Sequence, residues 1–471
     1  MIEPIIHALD ASFDIVTAFQ RLAGKPGCLW LDSAARGPEL QPGGDHAGRY
    51  SFLCADPIQR IVATCDDENP WPQLNRWWET LPKIAPNPAV PFQGGIAGLW
   101  GYEAGVFLEN VGRAKADDFP VPVIDVGVYD WVICHDRLRS QSWITSTGLT
   151  SGLNGFGCDG VTARRRLDQV LDWIKNGESV IGKSQPCLPV ELANGHPTHW
   201  KNVWSDFSSD GYRDAIREII TSIRDGDCFQ VNLSQRLMTP ATCDSATLMM
   251  RLRQFNPAPY AGYFHGHDYD VICSSPEGFL SVKDRVVQTR PIKGTAPRTG
   301  DPVRDEQYAI ELQRSEKDRA ENVMIVDLMR NDLSRVCTDD SVRVNQLCGI
   351  ESYAHVQHLV SVVEGRLRDE ATLVDLLSVC FPGGSITGAP KIEAMRIIAK
   401  REPTARGPYC GSLGYLSLDG NANFNILIRT ITAKNGWWQI PVGGGITLQS
   451  DPADEEKETW VKAEGMLRAI G

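Results

Sequence analysis

No stretch of the 471 residues approaches the roughly 18 consecutive apolar residues of a membrane span, so no transmembrane role is expected. The first residues carry Glu3, Asp10 and Asp14 and no basic cluster, so no secretory signal is expected there. No C-x-x-C pair occurs among the thirteen cysteines, which are odd in number and scattered from Cys28 to Cys410. In a chain this long that speaks against a disulfide framework and for reduced, mostly buried thiols in a cytoplasmic protein. HExxH is missing, and neither HPTH (His196, His199) nor HVQH (His355, His358) has a cysteine beside it, which speaks against zinc. Basic residues are in deficit, 47 Lys and Arg against 59 Asp and Glu for a net −12, so nucleic acid and anionic membranes are not expected partners. An anionic substrate would need local positive charge set against that field. No short repeat and no low-complexity tract is present.

What is present is an ordinary globular composition, 42% apolar and 23% charged, long enough for two or three domains or one interlocked unit. Two Gly/Ser/Pro-rich stretches, 146–160 and 176–199, bracket one amphipathic segment with Leu167, Val170, Leu171 and Ile174 at helical spacing. This suggests an N-terminal part over 1–145, a loop-rich connection with one helix over 146–199, and a denser region over 200–471. In that last region DGYRDAIREIITSIRDGD reads as a helix capped at Asp210. CFQVNLSQRLM, DVICSSPEGFLSV, RVVQTR, RGPYCGSLGYLSL, ANFNILIRTITAK and WWQIPVGGGITL read as strands in succession. Strands in runs without βαβ alternation predict an α+β fold with large antiparallel sheets.

Three acidic or glycine-rich segments can carry chemistry. A helix is predicted from about Pro302 to Leu333, and EKDRAENVMIVDLMRND places Glu321 in line with Met324, Ile325 and Leu328, with Asp318 one turn earlier. A carboxylate on an apolar face is costly unless paired or metal-bound, and pairing with Lys317 or Arg319 is the simpler of the two readings. In SDPADEEKETWVKAEGML, a cap at Ser450 or Asp451 and the helix dipole account for Asp454, Glu455 and Glu456. Glu458 lies beyond the first turn, on the face of Glu455, with Lys462 at i+4. Two helices offering carboxylates would suit Mg²⁺, which takes few protein ligands and keeps waters. FPGGSITGAPKIEAMRII is not a phosphate loop, because Lys391 is displaced by two from the expected place. It leaves a glycine-rich turn, a cap at Thr387 and Pro390 entering a helix: an anion site or only a tight turn.

TRPIKGTAPR holds Lys293 between Pro291-Ile292 and Gly294-Thr295. Such an amine has a pKa of about 10.4 in water; burial, or Arg290 and Arg298 nearby, would lower it and free a nucleophile.

In this order, GDCFQVNLSQR, SSPEGFL, RPIKGT, AENVMIVDLMRNDLSRV, HVQHLVS, FPGGSITGAPK, YCGSLGY, NFNILIRT and GGGIT with its acidic helix resemble the chorismate-utilising enzymes. That family includes the anthranilate, aminodeoxychorismate, isochorismate and salicylate synthases. The likeness is dense over 200–471 and looser before. It implies two interlocked α+β subdomains whose antiparallel sheets form a sandwich, helices outside, with the active site in the cleft between lobes. Anthranilate synthases have alanine where Lys293 stands and aminodeoxychorismate synthases have lysine, so the resemblance implies the latter branch, with Lys293 forming a covalent adduct with chorismate. Anthranilate synthase stays open as an alternative, as do isochorismate and salicylate synthases, which also use a lysine, and a non-catalytic module binding tryptophan or an amidotransferase.

Carried over by motif, Glu277 is the general acid/base and His358 lies beside the ring. Glu321 and Glu458 are Mg²⁺ ligands, with Asp318 and Glu455 in support. Thr295, Ser385, Tyr409, Arg429, Gly443, Gly444, Gly445 and Lys462 hold substrate. The implied partner is a separate glutamine amidotransferase supplying ammonia. LWLDSA and NPAPYAGYF are similar to the family's tryptophan pocket, through Asp32, Ser33, Pro259 and Tyr260. Asp32-Ser33 departs from the LLES of feedback-inhibited members, so inhibition by tryptophan is not expected, and whether a structural tryptophan is retained stays open.

Overall fold

The period-2 patterns do form strands, and these assemble into two large sheets laid face to face. The structure is a computed structural model, and it describes residues 3–34, 48–152, 155–182, 195–352 and 356–471. Among the described residues one sheet has thirteen strands and the other ten. The larger runs, in spatial order, through Ile5–Ala8, Gln141–Ser146, Trp131–Asp136, Tyr50–Cys54, Leu29–Asp32, Tyr260–His265, Tyr269–Ser275, Thr430–Lys434, Trp437–Ile446 and Gln230–Pro240. The smaller runs through Ile292–Pro297, Val356–Arg366, Val286–Thr289, Gly278–Lys283, Ala422–Asn425, Ser412–Ser417, Gly95–Trp100, Ile124–Tyr129 and Gln59–Ala63. Both sheets therefore take strands from the 1–145 span and from the 200–471 span.

Alternation along each strand sorts the core into layers. Leu29, Phe52, Cys134, Phe264 and Val271 of the larger sheet meet Ala97, Leu99, Leu413 and Tyr415 of the smaller one between the sheets. Their neighbours Trp30, Leu53, Ile133, Tyr263 and Ile272 face outward onto Ile15–Leu22, Ser245–Phe255 and Pro452–Ile470. The outer face of the smaller sheet packs on Trp71–Thr80, Glu316–Ser334, Leu373–Cys380 and Lys391–Arg401. The result is the expected α+β sandwich with helices outside.

Two segments that read as single strands each change sheets. DVICSSPEGFLSV splits into Tyr269–Ser275 in the larger sheet and Gly278–Lys283 in the smaller, with Pro276 and Glu277 in the crossing. Pro276 has no N–H for a ladder, so a strand cannot run through it undisturbed. ANFNILIRTITAK crosses back, from Ala422–Asn425 to Thr430–Lys434, and Arg429 turns the corner at φ 53°. The crossings are bonded to each other, Ile426 N to Glu277 O at 3.0 Å and Ser274 N to Arg429 O at 3.0 Å. Glu277 and Arg429 thus stand side by side where the sheets part.

Other local expectations need correction. Pro302–Leu333 is not one helix but two, Pro302–Arg314 and Glu316–Ser334, broken at Ser315. Ser315 ends the first and caps the second, its hydroxyl accepting from Asp318 N at 3.3 Å, an S-x-x-D signature. The helix Ser209–Arg224 is capped by Ser208 rather than Asp210. Thr387 caps nothing; its hydroxyl donates to Gly383 O at 3.1 Å, and Lys391–Arg401 begins after Pro390 without a side-chain cap. Lys391 is structural, bonded to Asp332 at 2.6 Å and Cys380 O at 2.8 Å. All described cysteines are free, and most are buried. Among the described residues no helix is long and apolar enough to cross a membrane.

Candidate active site

A cleft of about 610 Å³ opens where the sheets diverge, between the helices Glu316–Ser334 and Pro452–Ile470. Every residue assigned above to catalysis, substrate or metal lines it: Lys293, Glu277, His358, Thr295, Ser385, Tyr409, Arg429, the Gly443–Gly445 run, Lys462, Asp318, Glu321, Glu455 and Glu458. These come from segments up to 185 positions apart in the chain, Glu277 to Lys462, so proximity is a product of the fold.

Lys293 lies on Ile292–Pro297, and the pairing of that strand with Val356–Arg366 slips between Lys293 and Thr295. Gly294 takes up the slip at φ 70°; a Cβ there would lie 2.7 Å from Leu312 Cδ1 and 3.0 Å from Asp318 Cγ. A glycine bulge held by prolines on either side is thus how the chain aims the amine. Its Nζ donates to Ser385 O at 3.3 Å and makes no ion pair among the described residues. Burial pushes its pKa down from the usual lysine range, partly opposed by Glu321 and Glu277. Glu277 is buried, and burial raises its pKa despite Ser385, Lys293 and the Ile292 backbone, which favour the charged form. The pair therefore tends toward neutral amine and neutral acid. His358 faces Thr295 across the ladder, Nδ1 to Oγ1 at 3.0 Å, and burial lowers its pKa, which favours the uncharged ring.

Arg429 lines the cleft with no carboxylate partner among the described residues. Burial lowers its pKa, against the pull of Tyr409 and Glu458, yet a guanidinium stays charged. A half-buried fork near Tyr409, without a carboxylate partner among the described residues, fits a carboxylate from outside.

Four acids gather at the other end. Burial, with Asp318 and Glu455 as like charges, raises Glu321 despite Lys293 and Lys317. Burial likewise raises Glu455, which accepts from Ser450 Oγ at 2.6 Å. Burial would also raise Glu458, but Lys462, Lys317 and Lys293 together outweigh it and its pKa falls. The pairing of Glu321 with Lys317 or Arg319 does not form among the described residues; Lys317 reaches Glu455 at 3.8 Å instead. A Cβ on Gly444 would lie 3.3 Å from Glu455 Oε2 and 3.7 Å from Glu458 Oε1, so the glycine leaves clear the space before those carboxylates. Among the described residues no three His, Cys, Asp or Glu groups close around an ion by themselves. Hard oxygen donors with space left for water fit Mg²⁺, which needs only one or two carboxylates from the protein.

Sequence reasoning missed the floor of the cleft. Arg406 lines it and holds Glu402 through Nε to Oε2 at 2.8 Å and Nη2 to Oε1 at 2.6 Å, both side chains buried. It also donates to Ile386 O at 3.1 Å and Asn232 O at 2.8 Å, while Glu402 accepts from Ser234 N and Oγ at 2.8 Å each. Glu402 and Arg406 flank Pro403 in irregular chain after the helix Lys391–Arg401, so no helical spacing announces the pair. Asp32, Ser33, Pro259 and Tyr260 line a separate pocket of about 40 Å³ between the sheets. Asp32 there is engaged by Arg253 at 2.7 Å and Ser51 at 2.9 Å.

This chain belongs to the chorismate binding enzymes: the sequence profile of that family matches residues 28–468. It is 36% identical over 436 residues to aminodeoxychorismate synthase component 1 of Salmonella typhimurium, covering 90% of each protein. It is 38% identical over 459 residues to anthranilate synthase component 1 of Thermus thermophilus, covering 97% of this chain and 95% of that one. The solved anthranilate synthase component I of Streptococcus pneumoniae superposes with a TM-score of 0.74 at 29% identity, over 99% of each chain. Identity across the whole chain does not separate the two activities, so the reading of the site must.

Proposed function

We propose that this enzyme replaces the 4-hydroxyl of chorismate by an amino group, forming 4-amino-4-deoxychorismate for 4-aminobenzoate and folate synthesis in the cytoplasm. The observation that carries this is Lys293, an amine without an ion pair among the described residues, in the cleft, its charged form disfavoured by burial. In the first displacement its lone pair bonds to ring carbon 2, the ring double bonds shift, and the bond from carbon 4 to oxygen breaks. Glu277, whose protonated form burial favours, gives its proton so that the hydroxyl leaves as water, then takes one from the new ammonium. In the second, ammonia bonds to carbon 4, the double bonds shift back, and the bond from carbon 2 to Nζ breaks as Nζ takes the proton held by Glu277, which the new ammonium at carbon 4 then restores. Dividing one substitution into two easier ones is the benefit of covalent catalysis.

Arg429 and Tyr409 hold a substrate carboxylate, with Gly443 to Gly445, Thr295, Ser385 and Lys462 completing the cradle and His358 beside the ring. Glu321 and Glu458 would hold Mg²⁺, with Asp318 and Glu455 beside them; bound there, it supplies positive charge for a substrate carboxylate in a protein of net charge −12. Ammonia comes from a separate glutamine amidotransferase. The pocket at Asp32 and Ser33 is the place for a structural tryptophan.

Coupling the enzyme to an aminodeoxychorismate lyase, with chorismate, Mg²⁺ and ammonia, tests the reaction. Formation of 4-aminobenzoate is expected; anthranilate, isochorismate or salicylate as sole product overturns the assignment.

A further inference from the structure

The four acids share their end of the cleft with two lysines that are held very differently. Lys462 is fixed from two sides, to Glu458 Oε1 at 2.7 Å and to Gly443 O at 2.8 Å. Among the described residues Lys317 has one polar contact, to Glu455 Oε1 at the long distance of 3.8 Å, and its side chain is 46% exposed. It stands one turn before Glu321 on the helix Glu316–Ser334 and reaches across the cleft mouth to the helix Pro452–Ile470. Its charge favours the ionised forms of Glu321, Glu455 and Glu458 together. The other charged groups facing this region are Asp318 on its own helix, Lys462 opposite and Lys293 from the strand below.

Carboxylates crowded into a partly buried site repel one another unless a cation offsets them. Lys462 offsets Glu458 through a close pair at 2.7 Å. Glu321 is also offset by Lys293 from below; at the mouth the cation among the described residues is Lys317, whose half-exposed side chain makes a contact too long to hold firmly. We propose that Lys317 is a displaceable internal counter-ion, neutralising the acids while the cleft is empty and swinging to solvent when a divalent cation enters. It therefore competes with that cation and keeps the resting affinity low. Metal uptake is thereby favoured when substrate also supplies a ligand. This inference rests on reading Glu321 and Glu458, with Asp318 and Glu455, as the cation site.

The test is calorimetric titration of the substrate-free full chain with MgCl₂, comparing the native protein, Lys317→Gln and Lys317→Arg. Removing one mobile unit charge beside a divalent ion should tighten binding in Lys317→Gln by about three- to tenfold, given the weak coupling of half-exposed pairs. Lys317→Arg, which keeps the charge, should match the native protein. Equal affinity in all three, or equal tightening in both variants, overturns the role of Lys317 alone. No binding by any of them overturns the metal reading and this inference together. Mn²⁺ binding followed by electron paramagnetic resonance gives the same comparison independently of heats.

Discussion

The amine of Lys293 hydrogen-bonds to the backbone carbonyl of Ser385, 3.3 Å away, and to no carboxylate among the described residues. Partial burial beside a neutral acceptor disfavours the charged form of this amine and holds its pKa below the usual lysine range. Lys293→Arg keeps the charge and a donor for Ser385 but has no neutral amine to offer at any working pH. It should bind chorismate and form no aminodeoxychorismate, as read by product chromatography; turnover near the native rate would remove covalent attack from the account.

Opposite pH limbs should report the pair of Lys293 and Glu277. The amine is active when deprotonated and its pKa is lowered, so kcat/KM rises with pH along a limb that begins below the ordinary lysine range. The acid is active when protonated and its pKa is raised, so a falling limb appears above the ordinary carboxylate range. Glu277→Gln should lose that falling limb and about 10²- to 10⁴-fold in kcat, the usual span for a general acid. A pH profile of unchanged shape in the variant would move the acid role elsewhere.

Arg429 has no protein carboxylate to fall back on among the described residues, so its removal is felt by the ligand. Arg429→Ala should lower kcat/KM by roughly 10- to 150-fold, the equivalent of the 1.5–3 kcal/mol of a charge-assisted hydrogen bond. Lysine there should rescue only part, since it loses the two-pronged grip. Initial-rate kinetics over a range of chorismate concentrations decide it.

The Glu402–Arg406 pair predicts a stability effect. Side-chain exposures are 4% and 2%, so removing one partner leaves a charge stranded. Arg406→Met should cost about 3–5 kcal/mol of unfolding free energy, and Arg406→Met with Glu402→Gln distinctly less. Urea unfolding of the two variants checks this. A double variant as unstable as the single one would mean that packing, rather than the stranded charge, sets the cost.

Glu458 lies in the acid group with its charged form favoured by Lys462. Glu458→Gln should raise the Mg²⁺ concentration needed for half-maximal activity by about tenfold or more, the scale seen when a ligand or its support is lost. Unchanged Mg²⁺ dependence would take this residue off the ligand set.

What the chain revealed in advance follows from the range of each cause. Alternating strands and amphipathic helices are local patterns, so sheets and outer helices were legible, as were collinear motifs naming Lys293, Glu321, Glu458 and Arg429. The sheet crossings at Pro276-Glu277 and at Ile426 to Arg429 were not, because an apolar run looks alike whether it stays in one sheet or passes to another. The break at Ser315 was signalled by S-x-x-D, but the helical periodicity on both sides hid it. The Glu402–Arg406 floor escaped because its partners, Asn232, Ser234 and Ile386, are brought to it only by tertiary packing. Lys317 was read as a neighbour of Glu321 along one helix, whereas its contact lies across the cleft on another.

The most direct test is the intact mass of the protein after incubation with chorismate and Mg²⁺ in the absence of ammonia. A species heavier by chorismate less one water, mapping to Lys293 and absent from Lys293→Ala, is the predicted result. Steady conversion to product under ammonia, with no such adduct trapped at any time point before ammonia is added, would contradict it.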